Sequence, residues 1–129
     1  MSATDPDRVR PTAASPLLDP ERLDVYGIAL KFQLLTAAAV PRGHRTLRDQ
    51  LERASLSILL NIAEGAGRRS RHDKARFYCM ARGSCAECFA IFDVLRLRAM
   101  VSDGIYFEAR RKLTRIAQML TRLERTMRS

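Results

Sequence analysis

The feature that most constrains this chain is an apolar stripe at helical spacing near its C-terminal end. The stripe steps by three or four residues without a break and consists of Ile105, Ala109, Leu113, Ile116, Leu120, Leu123 and Met127. Because an α-helix turns once in about 3.6 residues, these side chains fall on one face of a helix. The spacing predicts a long amphipathic helix, with Ser102 or Asp103 as its capping residue.

A first helix is predicted near the start of the chain. Asp19 is a good capping residue and Pro20 suits the first helical position, so we expect the helix to begin there and to run to about Ala39. Its expected inward face consists of Leu23, Tyr26, Leu30, Leu34 and Ala37. Residues 40–43, which include a proline and a glycine, stop this helix.

A second helix follows, with Thr46 as its predicted cap and Gly65 or Gly67 as its end. Its apolar face consists of Leu47, Leu51, Ala54, Ile58 and Ile62. Further leucines, among them Leu56 and Leu60, leave little of its surface hydrophilic. A helix this apolar is usually buried on more than one side, which in so small a chain points to a subunit interface.

A third helix is predicted to start at Ser70, with Asp73 completing the start signal, and to run to about Met100. Its expected inward residues are Phe77 or Tyr78, Ala81, Cys85, Cys88, Phe92 and Leu95. Four helices with short connections predict an all-α fold, an up-down antiparallel four-helix bundle over residues 19–129. Residues 1–18 hold most of the prolines and are predicted to form a disordered arm.

The charge of the chain favours acidic partners. The net charge is +9, and most of the 23 basic residues are arginines, whose planar fork suits phosphate. A solvated basic surface would give the same composition. We expect a cytoplasmic location, because the sequence shows neither a signal peptide nor the roughly 20 apolar residues of a membrane helix. The 3 cysteines are interpreted as reduced thiols.

Two groups of arginines are candidates for nucleic-acid binding. In the turn before the third helix, Arg68, Arg69 and Arg71 lie beside backbone amides that could hold a phosphate; alternatively, the first two complement the dipole of the preceding helix. On the last helix, away from the apolar stripe, lie Arg111, Arg115, Arg122 and Arg125. The alternative for this second group is a solvated helix face. No aromatic residues interleave with the arginines of the last helix, so stacking on single strands is not indicated and we expect any binding to follow backbone charge and shape.

A polar cluster is expected where the second and third helices run together near their shared turn. It consists of Asn61, Glu64, Ser84 and Glu87. Its carboxylates could do acid–base chemistry or hold a metal. Alternatively, the four residues form a structural network, completed by Arg53 or Arg82, that sets the register of the bundle and the subunit geometry. We prefer the structural role, because no nucleophile and base pair accompanies the carboxylates.

Other chemistries lack the residues they need. Neither His44 nor His72 follows a glutamate at the spacing of a di-iron site in a helical bundle. Cys85 and Cys88 form a single C-x-x-C without a second pair, and we interpret them as small core residues. The glycine-rich turn lacks the lysine of a phosphate-binding loop. We therefore predict a protein that is not an enzyme and has neither a cofactor nor a metal site.

One run of residues in the central third carries a family resemblance. The run consists of Asp49, Gln50, Leu51, Arg53, Ala54, Ser57, Ile58, Asn61, Ile62, Ala63, Glu64 and Gly65, followed by Arg69, Ala81, Arg82, Gly83, Ser84 and Glu87. With it, the chain resembles the four-helix bundle family encoded by intervening sequences in bacterial large-subunit (23S) ribosomal RNA genes. The strings NIAEG and ARGS are its most specific part. The chain departs from the family at Cys85, at Cys88 and in the proline-rich arm.

The resemblance implies an up-down four-helix bundle that assembles as a homopentameric ring, with no known catalytic activity. A distant branch of the same fold, the accessory variability proteins of diversity-generating retroelements, is similar in architecture and binds nucleic acid and a reverse transcriptase through basic surfaces. We therefore expect a non-enzymatic homopentamer that binds RNA or DNA through arginine-rich surfaces. The alternative is a protein-interaction scaffold, with a reverse transcriptase or another polypeptide as its partner and no direct role for nucleic acid.

Overall fold

The protein is an up-down antiparallel bundle of four helices, as predicted. The structure, a computed structural model, describes residues 24–40 and 43–129. Over these ranges the chain forms α1 (Asp24–Ala39), α2 (Arg45–Gly67), α3 (Arg71–Leu97) and α4 (Asp103–Arg128), and no strand. Each helix packs against the next one along the chain, and α4 packs back against α1. The predicted arm at residues 1–18, Leu23 and the predicted helix start at Asp19 and Pro20 lie outside the described residues.

Two of the predicted helix starts are confirmed by side-chain caps. The hydroxyl of Ser70 accepts a hydrogen bond of 3.0 Å from the Asp73 amide, and the hydroxyl of Ser102 accepts one of 3.2 Å from the Ile105 amide. Each satisfies an amide that has no partner within its helix. The predicted Thr46 cap is wrong, because α2 begins one residue earlier and its capping residue, His44, makes no side-chain cap hydrogen bond.

The third helix ends three residues before the predicted boundary at Met100. Ala99 adopts a left-handed backbone with φ of 56°. The amide of Met100 donates to the carbonyl of Leu95 at 2.8 Å, and the amide of Ala99 donates to the carbonyl of Arg96 at 3.0 Å. This is a Schellman ending, for which glycine is the usual residue at the left-handed position. Because alanine stands there instead, the sequence carried no glycine signal for this helix end.

The inward faces of α2, α3 and α4 follow the predicted stripes, but that of α1 does not. Leu34 is 76% exposed, and the buried residues of α1 lie along a neighbouring line that includes Ile28 and Phe32. Apolar side chains surround α1, so spacing alone does not single out one face. Phe32 meets Phe92 of α3 with ring centroids 6.2 Å apart, and this packing selects the inward face. None of the described helices is both long and apolar enough to cross a membrane.

Candidate nucleic-acid interface

The turn between α2 and α3 brings arginines next to the end of α4. Arg71 donates through its guanidinium to the backbone carbonyls of Thr126 and Met127, the second at 3.4 Å. These carbonyls lie in the last turn of α4, where backbone acceptors have no partner within the helix. Arg71 therefore stabilises the end of α4, and the α2–α3 turn and the last turns of α4 lie at the same end of the bundle.

Arg68 of the same turn is partly neutralised by its neighbours. Its guanidinium lies 3.0 Å from the carboxylate of Glu64, one helical turn earlier. It also lies over the ring of Phe77, with 4.7 Å between the guanidinium carbon and the ring centroid. A carboxylate and an aromatic face both favour a cation at this point, so Arg68 is only partly available to a phosphate.

Three of the predicted arginines at this end have no partner among the described residues. Arg69, Arg122 and Arg125 are exposed, and none of them makes a side-chain hydrogen bond or an ion pair with the part of the chain that the structure describes. Arg69 lies in the turn, and the other two lie in the last two turns of α4. We call these three residues the basic end. Uncompensated, exposed guanidinium groups are the type of group that binds phosphate oxygens.

The other two predicted arginines of α4 are held differently. Arg111 lies 2.8 Å from a carboxylate oxygen of Glu108, and its hydrogen bonds to Glu108 hold the pKa of that carboxyl below its usual range. Arg115 is half-buried and has a partner of its own. The predicted arginine stripe of α4 therefore does not form one uniform basic surface, and only its C-terminal half belongs to the basic end.

A cleft of about 380 Å³ lies beside the basic end, lined by Arg82, Thr121, Glu124, Arg125, Arg128 and Ser129. Glu124 lies between two arginines, 3.2 Å from Arg82 and 3.0 Å from Arg128. The contact with Arg82 joins Oε1 to Nη2 without hydrogen-bond geometry, which leaves this buried oxygen without a hydrogen bond. One carboxylate thus offsets two guanidinium groups, and the cleft keeps an excess of positive charge.

The predicted polar cluster divides into three separate contacts. The hydroxyls of Ser57 and Ser84 lie 2.8 Å apart, and the Asn61 amide donates to the Ser57 hydroxyl at 3.1 Å. Glu64 instead pairs with Arg68 of the turn, as described above. Glu87 pairs with Arg53, one of the two arginines expected there, at the surface of the bundle. The other arginine, Arg82, is directed to Glu124 on α4.

The two buried cysteines belong to the core, as predicted. Cys85 and Cys88 are 1% and 0% exposed, and burial raises the pKa of each thiol to about 12. A thiol with so high a pKa is protonated at neutral pH, and it is then neither a nucleophile nor a good metal ligand. Within residues 24–40 and 43–129, no group of three or more His, Cys, Asp or Glu side chains is arranged to hold a metal ion.

Aromatic residues accompany two arginines outside the predicted groups, at the other end of the α3–α4 surface. Arg96 of α3 lies over the rings of Tyr106 and Phe107 of α4. Arg110 lies over the ring of Phe89. The interleaving joins two helices through space, so it does not show as a pattern in a single stretch of sequence. The sequence could have indicated that Phe107 is exposed, because Phe107 lies off the apolar stripe of α4. It could not have indicated which arginines lie beside the ring.

The fold and these surfaces define an all-α four-helix bundle with a basic end. The sequence model of the 23S rRNA-intervening sequence protein family matches residues 21–122. The chain belongs to this family, which confirms the resemblance carried by its central third. A comparison with curated proteins finds no significant match.

Proposed function

We propose that the protein is a non-enzymatic homo-oligomer that binds RNA through its basic end. The observation that carries the proposal is the position of Arg69, Arg122 and Arg125 at one end of the bundle, where all three are exposed and have no carboxylate partner within residues 24–40 and 43–129. Each can form two parallel hydrogen bonds to a phosphate. Membership in a family named for 23S rRNA intervening sequences makes RNA the first ligand to test.

Charge supports a contact with the nucleic-acid backbone. The net charge of +9 attracts polyanions at long range, and the basic end concentrates uncompensated charge at one place. In an oligomer each copy repeats the three arginines, so simultaneous contacts multiply the affinity of a single copy. Binding of this kind depends on phosphate charge more than on base sequence.

Self-association is supported by an apolar surface on α2 and α3. Leu56, Leu60 and Met80 are between 43% and 53% exposed, and they flank the contact between Ser57 and Ser84. We call this surface the α2–α3 face. Exposed apolar side chains grouped on one face are typical of surfaces that another chain covers. The family resemblance implies a pentamer, and we propose that the α2–α3 face lies in the subunit contact.

Salt dependence of RNA binding tests the proposal. We expect the affinity for a structured RNA to fall by tens of fold between about 50 and 200 mM salt, because about three phosphate contacts release their counterions. The Arg122→Gln/Arg125→Gln variant should bind more weakly and with a smaller salt slope. Fluorescence anisotropy with a labelled RNA hairpin measures both quantities.

A matched control removes the same charge elsewhere. The Arg76→Gln/Arg111→Gln variant also loses two positive charges, but both of these arginines are paired with carboxylates. It should bind with nearly the affinity and the salt slope of the unaltered protein. RNA binding that is absent at low salt, insensitive to salt, or reduced equally in both variants would contradict the proposal.

The second candidate is a protein-interaction scaffold whose partner is another polypeptide, such as a reverse transcriptase. The α2–α3 face favours it, because a foreign chain could cover the same leucines. A pull-down at physiological salt after nuclease treatment separates the two candidates. A polypeptide that is retained after nuclease treatment and lost in a Leu60→Asp variant supports the scaffold, whereas loss on nuclease treatment supports the RNA-binding function.

A further inference from the structure

Arginine and aromatic side chains meet on the surface where α3 ends and α4 begins, at the opposite end of the bundle from the basic end. The residues of this arginine–aromatic cluster are Phe89, Asp93, Arg96, Tyr106, Phe107 and Arg110. They come from the last turns of α3 and the first turns of α4. The cluster is distinct from every contact of the basic end.

Arg96 is held against two rings. Its guanidinium carbon lies 4.5 Å from the ring centroid of Tyr106 and 4.7 Å from that of Phe107. The two rings are 5.2 Å apart and nearly perpendicular, at 80°. Asp103 holds the same guanidinium at 3.4 Å. Two aromatic contacts and one ion pair restrict this arginine to one arrangement.

The Tyr106 ring is fixed from its other side. Its hydroxyl donates a hydrogen bond of 2.6 Å to Asp93 on α3. Arg110 lies 5.2 Å from the ring centroid of Phe89 and donates to the Tyr106 hydroxyl at 3.4 Å. These contacts tie α3 to α4 and hold the Tyr106 ring beside the guanidinium of Arg96.

Phe107 stands out in this cluster because it is 53% exposed. The fold does not require an aromatic residue there, since Phe107 lies off the apolar stripe of α4. Nucleobases stack on exposed aromatic rings and on guanidinium planes, and every base has a face suited to such stacking. Phe107 and Arg96 together offer both kinds of surface.

The arginines of the cluster are balanced by carboxylates. Asp103 and Asp93 offset Arg96 and Arg110, so the stacking surface itself is nearly neutral. A nearly neutral surface of rings and guanidinium planes suits the uncharged face of a base.

We infer that the arginine–aromatic cluster is a second nucleic-acid site, which binds an unpaired base of single-stranded RNA by stacking it on Phe107 and Arg96. The inference rests on the proposed RNA-binding function and adds to it a preference for unpaired nucleotides. About 27 Å of helix separates Phe107 from Arg125 at 1.5 Å per residue, so the two sites can be altered separately.

A tryptophan at position 107 reports on stacking directly. The chain has no tryptophan, so Phe107→Trp creates a single tryptophan, which can be excited selectively over the 3 tyrosines and keeps a large aromatic surface. We expect a single-stranded RNA of twelve or so nucleotides to quench this fluorescence, and a duplex of the same length to leave it unchanged, because stacking requires an unpaired base. As a control, a tryptophan placed at Leu34, which is exposed on α1, should not be quenched.

Affinity measurements separate stacking from apolar contact. Phe107→Ala should weaken the binding of single-stranded RNA by about tenfold and leave duplex binding unchanged. Phe107→Leu, which keeps an apolar side chain without a ring, should lose nearly as much. Circular dichroism and light scattering verify that each variant keeps the fold and the mass of the unaltered protein.

The possible failures of the two proposals differ. If RNA binds with the expected salt dependence but Phe107→Trp is not quenched, or Phe107→Ala binds single strands normally, only the second site is overturned. A change of oligomeric mass in Phe107→Ala with unchanged RNA affinity would assign the cluster to a subunit contact, which also overturns it. If no RNA binds at low salt, the proposed function fails as well.

Discussion

At Gly65 the backbone of α2 approaches α3 too closely for any side chain. A Cβ atom built on Gly65 would lie 2.8 Å from the ring of Tyr78 and 3.1 Å from the Cβ of Phe77. The sequence predicted Gly65 or Gly67 as the helix end; α2 ends at Gly67, and Gly65 lies inside the helix, two residues before its end. Its role is therefore close packing: it lets the buried Tyr78 ring lie directly against the α2 backbone.

Gly65→Ala tests this role. We expect the free energy of unfolding to fall by about 1–3 kcal/mol, because the added methyl group overlaps the ring of Tyr78 and forces α2 and α3 apart. Urea denaturation at a fixed protein concentration measures the change.

Gly67 supplies the control for this substitution. It lies two residues away in the same helix, and a Cβ atom there would meet nothing within 4 Å. Gly67→Ala should therefore leave the stability unchanged or raise it by up to about 1 kcal/mol. Equal stability of the two alanine variants would show that the close approach at Gly65 does not matter.

At the scale of the helices, basic side chains from one helix stabilise the ends of others. The ammonium group of Lys74, in α3, donates to the last carbonyls of α2, at 3.3 Å to Gly65 and 2.7 Å to Ala66. Arg71 does the same for α4 through Thr126 and Met127. A cation at a helix C-terminus also interacts favourably with the helix dipole. The start of α3 therefore stabilises two neighbouring helices.

Replacing Arg71 should loosen the last turn of α4. In Arg71→Ala the carbonyl of Met127 loses its guanidinium donor and that of Thr126 keeps only the Ser129 hydroxyl, so the amides of residues 125–129 should exchange with solvent roughly fivefold faster. Hydrogen exchange measured by mass spectrometry detects this change. Arg69→Ala removes the same charge from the same turn without removing a helix-end contact, so it should leave the exchange rates as they are. Faster exchange in both variants would point to net charge as the cause.

At the scale of the whole molecule, three separate surfaces are available to partners. The α2–α3 face is apolar, the basic end is positively charged, and the arginine–aromatic cluster lies at the opposite end of the bundle from the basic end. Leu56, Leu60 and Met80 are only about half buried in the single chain, so covering their exposed parts would add stability that the single chain lacks. Another copy of the chain that covers them would leave both proposed RNA-binding surfaces open.

The contribution of the α2–α3 face is measured by oligomeric mass. Leu60→Asp places a charge in the proposed subunit contact, so we expect light scattering to show a mass shifted from a multiple of 14.6 kDa toward 14.6 kDa. Thr114→Asp adds the same charge to an exposed position of α4 and should leave the mass unchanged. A Leu60→Asp variant with the mass of the unaltered protein would remove this face from the assembly.

The sequence alone determined the fold and most of the core. In α2, α3 and α4 apolar residues recur along one face, so their periodicity predicts both the helices and their inward sides. Ser70 and Ser102 marked two helix starts through hydrogen bonds that span only three residues. Local chemistry of this kind is readable because both partners lie within one turn of helix.

Tertiary structure decided what each arginine is available to do. Arg71 was a phosphate candidate from its place in the turn, but its carbonyl partner at Thr126 is 55 residues away. Arg82 meets Glu124 across α3 and α4, and Arg96 meets Phe107 in the same way.

Periodicity could not choose the buried face of α1 either, because apolar residues surround that helix and only its packing against Phe92 distinguishes one side. Local spacing therefore determines where helices form, whereas compensation of charge depends on residues that only the packed bundle brings together.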